Sequence, residues 1–210
     1  MDIPQKIVLF GGTGKVGRHI ARLAVEKGYD VRMLVRDPQK VTLENVEVVK
    51  GDIRDVNIIR KILRDCHVVI NAFGQPNKAE PIYSKVTENI LHVMTEYKIN
   101  RYIGVTGGSL TIDSDKKNFI NRLGAVLFKL LYSEFLKDRK KEWRILLENK
   151  HIDWTLVRLP FVQEGEGKDY VKENLFDMPG TKISNQDISS FIVDQINRPI
   201  YVHQAPFISN

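Results

Sequence analysis

Gly12, Gly14 and Gly17 follow the spacing G-x-G-x-x-G, and Gly11 extends it to Gly11-x-x-Gly14-x-x-Gly17. Glycine serves a separate need at each place. The first allows a tight turn from strand to helix, the middle one lets backbone approach a pyrophosphate, and Gly17 lets helix and strand pack closely. Amides at the helix start then face the phosphate charge. Gly11, Thr13, Gly14, Lys15 and Val16 are therefore the expected cradle for a dinucleotide. Gly14-Lys15 also suggests the phosphate loop of a nucleotide hydrolase. That motif fails here, because Leu9 stands in place of its first glycine and Val16 in place of the hydroxyl that would reach magnesium.

The end of the next apolar stretch, Val31–Val35, is followed directly by Arg36. A carboxylate in that position suits a free ribose diol, whereas a planar guanidinium suits a 2′-phosphate. Arg36, with Lys40 as a weaker helper, thus favours NADPH over NADH, the alternative being a solvated surface arginine. Asp37, before Pro38, is expected to cap a turn. Gly51-Asp52-Ile53 follows a third apolar stretch. Asp52 can accept from an adenine amino group while Ile53 covers the ring, or it can simply cap a turn. Asn71-Ala72-Phe73-Gly74 closes a fourth stretch and is expected beside the nicotinamide ribose, with Phe73 either a cofactor wall or ordinary core.

The acid–base pair of the ordinary short-chain dehydrogenases, Tyr-x-x-x-Lys, is missing. Four residues beyond each of the seven tyrosines stand Met33, Thr87, Arg101, Thr106, Leu136, Asn174 and Ala205. Carbonyl reduction by a tyrosine acid is therefore disfavoured. Thr106 and Ser109, around Gly107-Gly108, are the catalytic candidates, able to orient a carboxamide or acceptor or else to satisfy backbone at a strand end. Hydride transfer to a flavin-like ring needs mostly positioning, because the acceptor delocalises charge and water can supply the proton. Phe161, after Pro160, offers an aromatic wall for such a ring. The five histidines form no ligand spacing, so no metal site is expected, and no G-x-S-x-G elbow occurs.

These residues need elements to hold them. Lys6–Phe10, Val31–Val35, Val46–Val49, His67–Ala72, Arg101–Thr106 and Trp154–Leu159 read as buried strands. Between them run helical patterns over Lys15–Lys27, from an Asp55 cap through Leu63, over Ile82–Tyr97 and over Ser133–Asn149. Such alternation predicts an α/β, Rossmann-like three-layer sandwich with a mostly parallel central sheet and right-handed crossovers. After Pro160 the rhythm weakens. Tyr170-Val171 and Lys182-Ile183 suggest short strands, and Ser184-x-x-Asp187 has capping-box spacing. One domain over 1–210 is expected, its tail folding over the strand ends and its substrate side built from 107–132 and 160–186.

Bulk properties narrow the class. The chain of 210 residues carries a formal charge of +6, with 42% apolar and 28% charged residues, as an ordinary globule does. The basic run Lys137–Arg144 contains Asp138 and Glu142 and reads as a solvated helix face. Aromatics interleaved with basic residues are absent, which disfavours nucleic acid. The single Cys66 reads as an inert buried thiol suited to a reducing cytoplasm. No signal stretch or membrane-spanning run is read, so no membrane partner is expected, and the oligomeric expectation is a monomer or weak homodimer.

The stretches Phe10–Gly17, Val31–Asp37, Gly51-Asp52-Ile53, Val105-Thr106-Gly107-Gly108 and Val157-Arg158-Leu159-Pro160 resemble the atypical short-chain dehydrogenases. Within them the likeness is to the NAD(P)H-binding group that contains biliverdin reductase B (flavin reductase) and the NmrA-like regulators. The resemblance implies NADPH on Gly11–Gly17 with Arg36 at the 2′-phosphate, Thr106 and Gly107 near the nicotinamide, and Leu159-Pro160-Phe161 at the substrate border. Two positions depart from the flavin reductases of this type, which carry serine at Gly107 and histidine at Phe161. The expected function is NADPH-dependent reduction of a flavin or other flat conjugated acceptor. A cofactor-bound sensor or interaction protein stands as the alternative.

Overall fold

The computed structural model describes residues 5–75, 79–168 and 170–210. The single domain expected over 1–210 therefore includes 1–4, 76–78 and 169, which lie outside the described residues. The expected strands form: β1 (Lys6–Phe10), β2 (Asp30–Val35), β3 (Val46–Lys50), β4 (Val68–Asn71), β5 (Arg101–Gly107) and β6 (Asp153–Leu159). The helices between them are α1 (Gly17–Glu26), α2 (Val56–Leu63), α3 (Tyr83–Glu96), α4 (Phe119–Leu131) and α5 (Ser133–Glu148). The tail adds β7 (Phe161–Gln163), β8 (Lys172–Asn174), β9 (Lys182–Ser184), α6 (Asn185–Asn197) and β10 (Phe207–Ser209).

The main sheet runs β3-β2-β1-β4-β5-β6-β10-β8, parallel except for β8 against β10. Strand β1 lies inside the sheet and is apolar and buried from Ile7 to Phe10, as a strand covered on both faces must be. Its side chains divide by strict alternation. Val8 and Phe10 join Ile59, Ile62, Val86, Ile90 and Leu146 from α2, α3 and α5 on one face. Ile7 and Leu9 join Ile20, Ala21, Ile188 and Ile192 from α1 and α6 on the other. Each such buried aliphatic contributes about 1.5–3 kcal/mol, and together they make the third and first layers of the sandwich. The chain reverses direction across the sheet between β1 and β4, the point at which an open α/β sheet forms a crevice at its strand ends.

Local signals act where the sequence put them. Asp55 accepts from the Asn57 amide at 2.8 Å, Asp37 accepts from the Gln39 amide at 3.1 Å, and Ser184 Oγ accepts from the Asp187 amide at 3.0 Å. The tail differs from expectation. Instead of only folding over the strand ends, it returns to the sheet: β10 pairs parallel to β6 and α6 packs beside α1. Strands β7 and β9 pair with each other in a separate two-stranded sheet. The short strand expected at Tyr170-Val171 begins instead at Lys172.

Candidate active site

The crevice at the strand ends is a cleft of about 900 Å³. Its floor is the glycine turn. Gly11 has φ +78°, a conformation that L side chains rarely adopt, and a Cβ there would sit on the Ala72 carbonyl. A Cβ on Gly17 would overlap the Gly11 carbonyl, so that glycine is what seats α1 against β1. Gly14 is different. A Cβ on it would meet nothing in the chain but the Gly11 carbonyl oxygen, at 3.2 Å, while its open side faces the cleft. That contact with a backbone oxygen is itself tight, yet it leaves Gly14 the least crowded of the glycines in the turn. Helix α1 also begins without a side-chain cap or an acidic residue in its first turn, although its Arg18 and His19 amides already donate to the Gly14 and Val16 carbonyls at 3.1 Å.

Gly11, Thr13, Gly14, Lys15, Val16, Arg36, Asp52, Ile53, Phe73, Gly74, Thr106 and Pro160 all line this one cleft. Arg36 is exposed at the end of β2, with Lys40 on the same rim. Asp52 accepts from the Arg54 amide at 2.9 Å and from its guanidinium at 3.0 and 2.5 Å. Those bonds, the guanidinium first, pull its carboxyl down to about 2. They are the bonds of a turn cap, so an adenine amino group would share a carboxylate already held by Arg54. Ile53 is buried against the core and still reaches the cleft. Phe73 is half-buried, with its amide donating to Asn71 Oδ1 at 3.1 Å and its ring 5.6 Å from that of Tyr83.

Thr106 is 3% exposed, and its hydroxyl finds no hydrogen-bond partner among the described residues. A buried hydroxyl left so is destabilising unless something else meets it. This orphaned atom and the open side of Gly14 together fit a group with a pyrophosphate at one end and a hydrogen-bonding ring at the other.

Two expected site residues lie elsewhere. Phe161 is 83% exposed and does not line the cleft. Side chains alternate along β7, so the neighbouring Val162 turns inward and takes that wall instead. Ser109 belongs to a second cavity, of about 470 Å³, beyond the Gly107-Gly108 turn. There it stands among Lys116, Lys117, Arg122, Lys129 and Lys140, away from Thr106.

The sequence also concealed a polar wall behind the cleft. The run Lys137–Arg144 is not wholly solvated, because Asp138, Arg139 and Glu142 are buried. Arg139 lines the cleft and donates to Glu142 at 2.7 Å, and Glu142 accepts from Thr87 Oγ1 at 2.8 Å. Tyr102 OH accepts from Asn71 Nδ2 at 2.9 Å and stands 3.4 Å from Thr87, and burial pushes its phenol far up. Tyr102 is thus a neutral structural hydroxyl. The signal in the sequence was the four-residue spacing of Asp138, Glu142 and Leu146, which sets them on one face of α5.

Arg158, in the stretch before Pro160, is wholly buried. It donates to Asp115 at 2.6 Å, to the Ala205 carbonyl at 2.8 Å and to the Leu175 carbonyl at 3.1 Å. It ties β6 to the tail and to the loop before α4. Among the described residues no cluster of three or more His, Cys, Asp or Glu could hold a metal ion.

A family model described as NAD(P)H-binding matches residues 11–199. The uncharacterized protein YwnB of Bacillus subtilis is 24% identical over 205 residues, which cover 93% of each chain. Two solved structures share the fold. ChuY, an anaerobillin reductase from Escherichia coli O157:H7, superposes with a TM-score of 0.81 at 16% identity over 98% of this chain and 97% of that one. A short-chain dehydrogenase/reductase from Veillonella parvula in complex with NADP superposes at 0.80, with 14% identity over 99% and 95%.

Proposed function

The chain belongs to the NAD(P)H-binding family, and on that basis we propose that it is an NADPH-dependent oxidoreductase that reduces a flavin or another flat conjugated acceptor. The observation that carries this reading is the buried Thr106 hydroxyl, unpartnered among the described residues, in the wall of a cleft headed by the glycine turn. The fold shared with ChuY and with an NADP-bound dehydrogenase supports it.

In this reading Gly11, Thr13, Gly14, Lys15 and Val16 hold the pyrophosphate, and Arg36 the 2′-phosphate. Asp52 and Ile53 border the adenine. Phe73 and Gly74 border the nicotinamide ribose, and Pro160 with Val162 closes the opposite wall. When bound, the cofactor supplies a hydride to the acceptor. Thr106 Oγ1 orients the reacting face by one hydrogen bond and excludes water from beside it. A threonine hydroxyl does not ionise in the working range, so the proton that completes the reduction comes from water.

The test is NADPH oxidation, followed by its absorbance, against a panel of flavins and quinones. Turnover should be seen with at least one of them and should depend weakly on pH near neutrality. Thr106→Val should lower turnover about five- to thirtyfold, the worth of one lost hydrogen bond. Tight NADPH binding with no oxidation above buffer for any acceptor would overturn the enzyme in favour of a cofactor-bound sensor.

A further inference from the structure

Helix α4 turns its apolar side chains outward. Phe119, Leu123, Val126, Leu127, Leu130 and Leu131 are between 50% and 81% exposed. At about 100° per residue these six fall within an arc of about 140°. The opposite side is the anchored one. Asn121 Nδ2 donates to Asp177 at 2.8 Å, and Phe128 stacks on Tyr132 with ring centroids 4.7 Å apart. The outward stripe holds no hydrogen-bonding side chain. A contiguous apolar face of this kind on a folded chain marks a surface that something covers.

One border of the stripe is basic. Arg122 and Lys129 follow one edge of the stripe, and exposed Lys116 stands just before the helix, 5.3 Å over the ring of half-exposed Phe176. From Lys116 to Ser133 the chain contains no acidic residue. Among the described residues neither Arg122 nor Lys129 has an ion pair. A second copy of the chain is a poor match for this face. Two α4 helices laid together would bring cations to cations with no carboxylate on either helix. A charged protein surface would leave the stripe unmatched. An anionic bilayer satisfies both parts, since acyl chains take the apolar arc and headgroup phosphates take the lysines and arginine.

We propose that α4 is a peripheral docking surface for anionic lipid bilayers, lying in the plane of the membrane interface with its apolar stripe down. Thirteen residues make a helix about 20 Å long, which lies on a bilayer and does not cross it. No helix among the described residues is long and apolar enough to cross one. This docking is independent of the redox reading of the cleft.

The whole chain is mixed with vesicles of phosphatidylcholine alone and with vesicles containing phosphatidylglycerol, and the bound fraction is read by co-sedimentation. Binding is expected to the phosphatidylglycerol vesicles, and to fall steeply as salt rises from about 0.1 M to about 1 M, where screening shortens from about 10 Å to about 3 Å. Arg122→Glu and Lys129→Glu should each weaken it about fivefold or more. Leu127→Glu with Leu130→Glu should abolish it while circular dichroism and NADPH binding stay unchanged, since both side chains point to solvent. Absence of vesicle binding by the unmodified chain overturns the proposal. So does a concentration-dependent dimer that the Leu127/Leu130 variant abolishes, which would make the face a contact between copies.

Discussion

The guanidinium of Arg139 lies 3.5 Å above the centre of the Tyr83 ring. The Tyr83 hydroxyl in turn accepts from the Gln75 amide at 3.0 Å, so an α5 side chain steadies the rim of the cleft through an α3 aromatic. A planar cation on a ring face contributes about 0.5–2 kcal/mol, and lysine does not reproduce the flat stack. Arg139→Lys should therefore destabilise the chain by about 1–2 kcal/mol in urea denaturation although the charge is kept. An unchanged midpoint would show that charge alone matters there.

Arg36 sets the expected cofactor preference. A charged hydrogen bond to phosphate contributes about 1.5–3 kcal/mol, or roughly ten- to a hundredfold in affinity. Titration should show NADPH binding more tightly than NADH, and Arg36→Ala should close most of that gap. Equal affinities in the unmodified chain would remove the argument for NADPH.

Gly14 is the least crowded of the glycines in the turn. A Cβ there meets only the Gly11 carbonyl oxygen, at 3.2 Å. Gly14→Val should leave the far-ultraviolet circular dichroism unchanged and abolish binding of both nicotinamide cofactors, because the branched side chain fills the approach to the backbone. Retained nucleotide affinity in a folded variant would refute the cradle.

Arg158 and Asp115 are both buried, with side chains 0% and 2% exposed. Removing one partner of a buried pair costs about 3–5 kcal/mol, and here Lys117 Nζ, 3.7 Å from Asp115, stays as a weaker partner that holds the loss to the lower end of that range. Arg158→Met should lower stability by that amount. Adding Asp115→Asn should recover a large part of it, and a fully additive double variant would argue against coupling.

Cys66 donates to the Val68 carbonyl at 3.0 Å, and burial pushes its thiol up to about 11 from 9.0. The neutral thiol is the form favoured in the folded chain. Its contribution is therefore fully present below about pH 9 and is lost as pH rises toward 11. Alkylation of the native chain should be slow at pH 8 and become rapid in denaturant. Rapid native alkylation would mean that the thiol is accessible.

Much of this chain is decided by short-range rules. The spacing Gly11 to Gly17, the alternation of apolar strands with helical patterns, and the caps at Asp55 and Ser184 depend on neighbours a few residues apart, so they are legible in order along the chain. They carry the Rossmann-like fold and most of the cleft lining. What the fold decides is which distant groups meet. Phe161 faces solvent because β7 pairs with β9 in a register that turns Val162 inward. Ser109 falls into a separate cavity because the Gly108 amide bonds to the Leu159 carbonyl at 2.7 Å and turns the chain away from Thr106. The partners of Arg139, Glu142 and Arg158 are not legible until α3 brings Tyr83 and Thr87, and the loop before α4 brings Asp115, against them. A buried charge is tolerated only where its partners converge, and that convergence belongs to packing between remote segments, which no local spacing records.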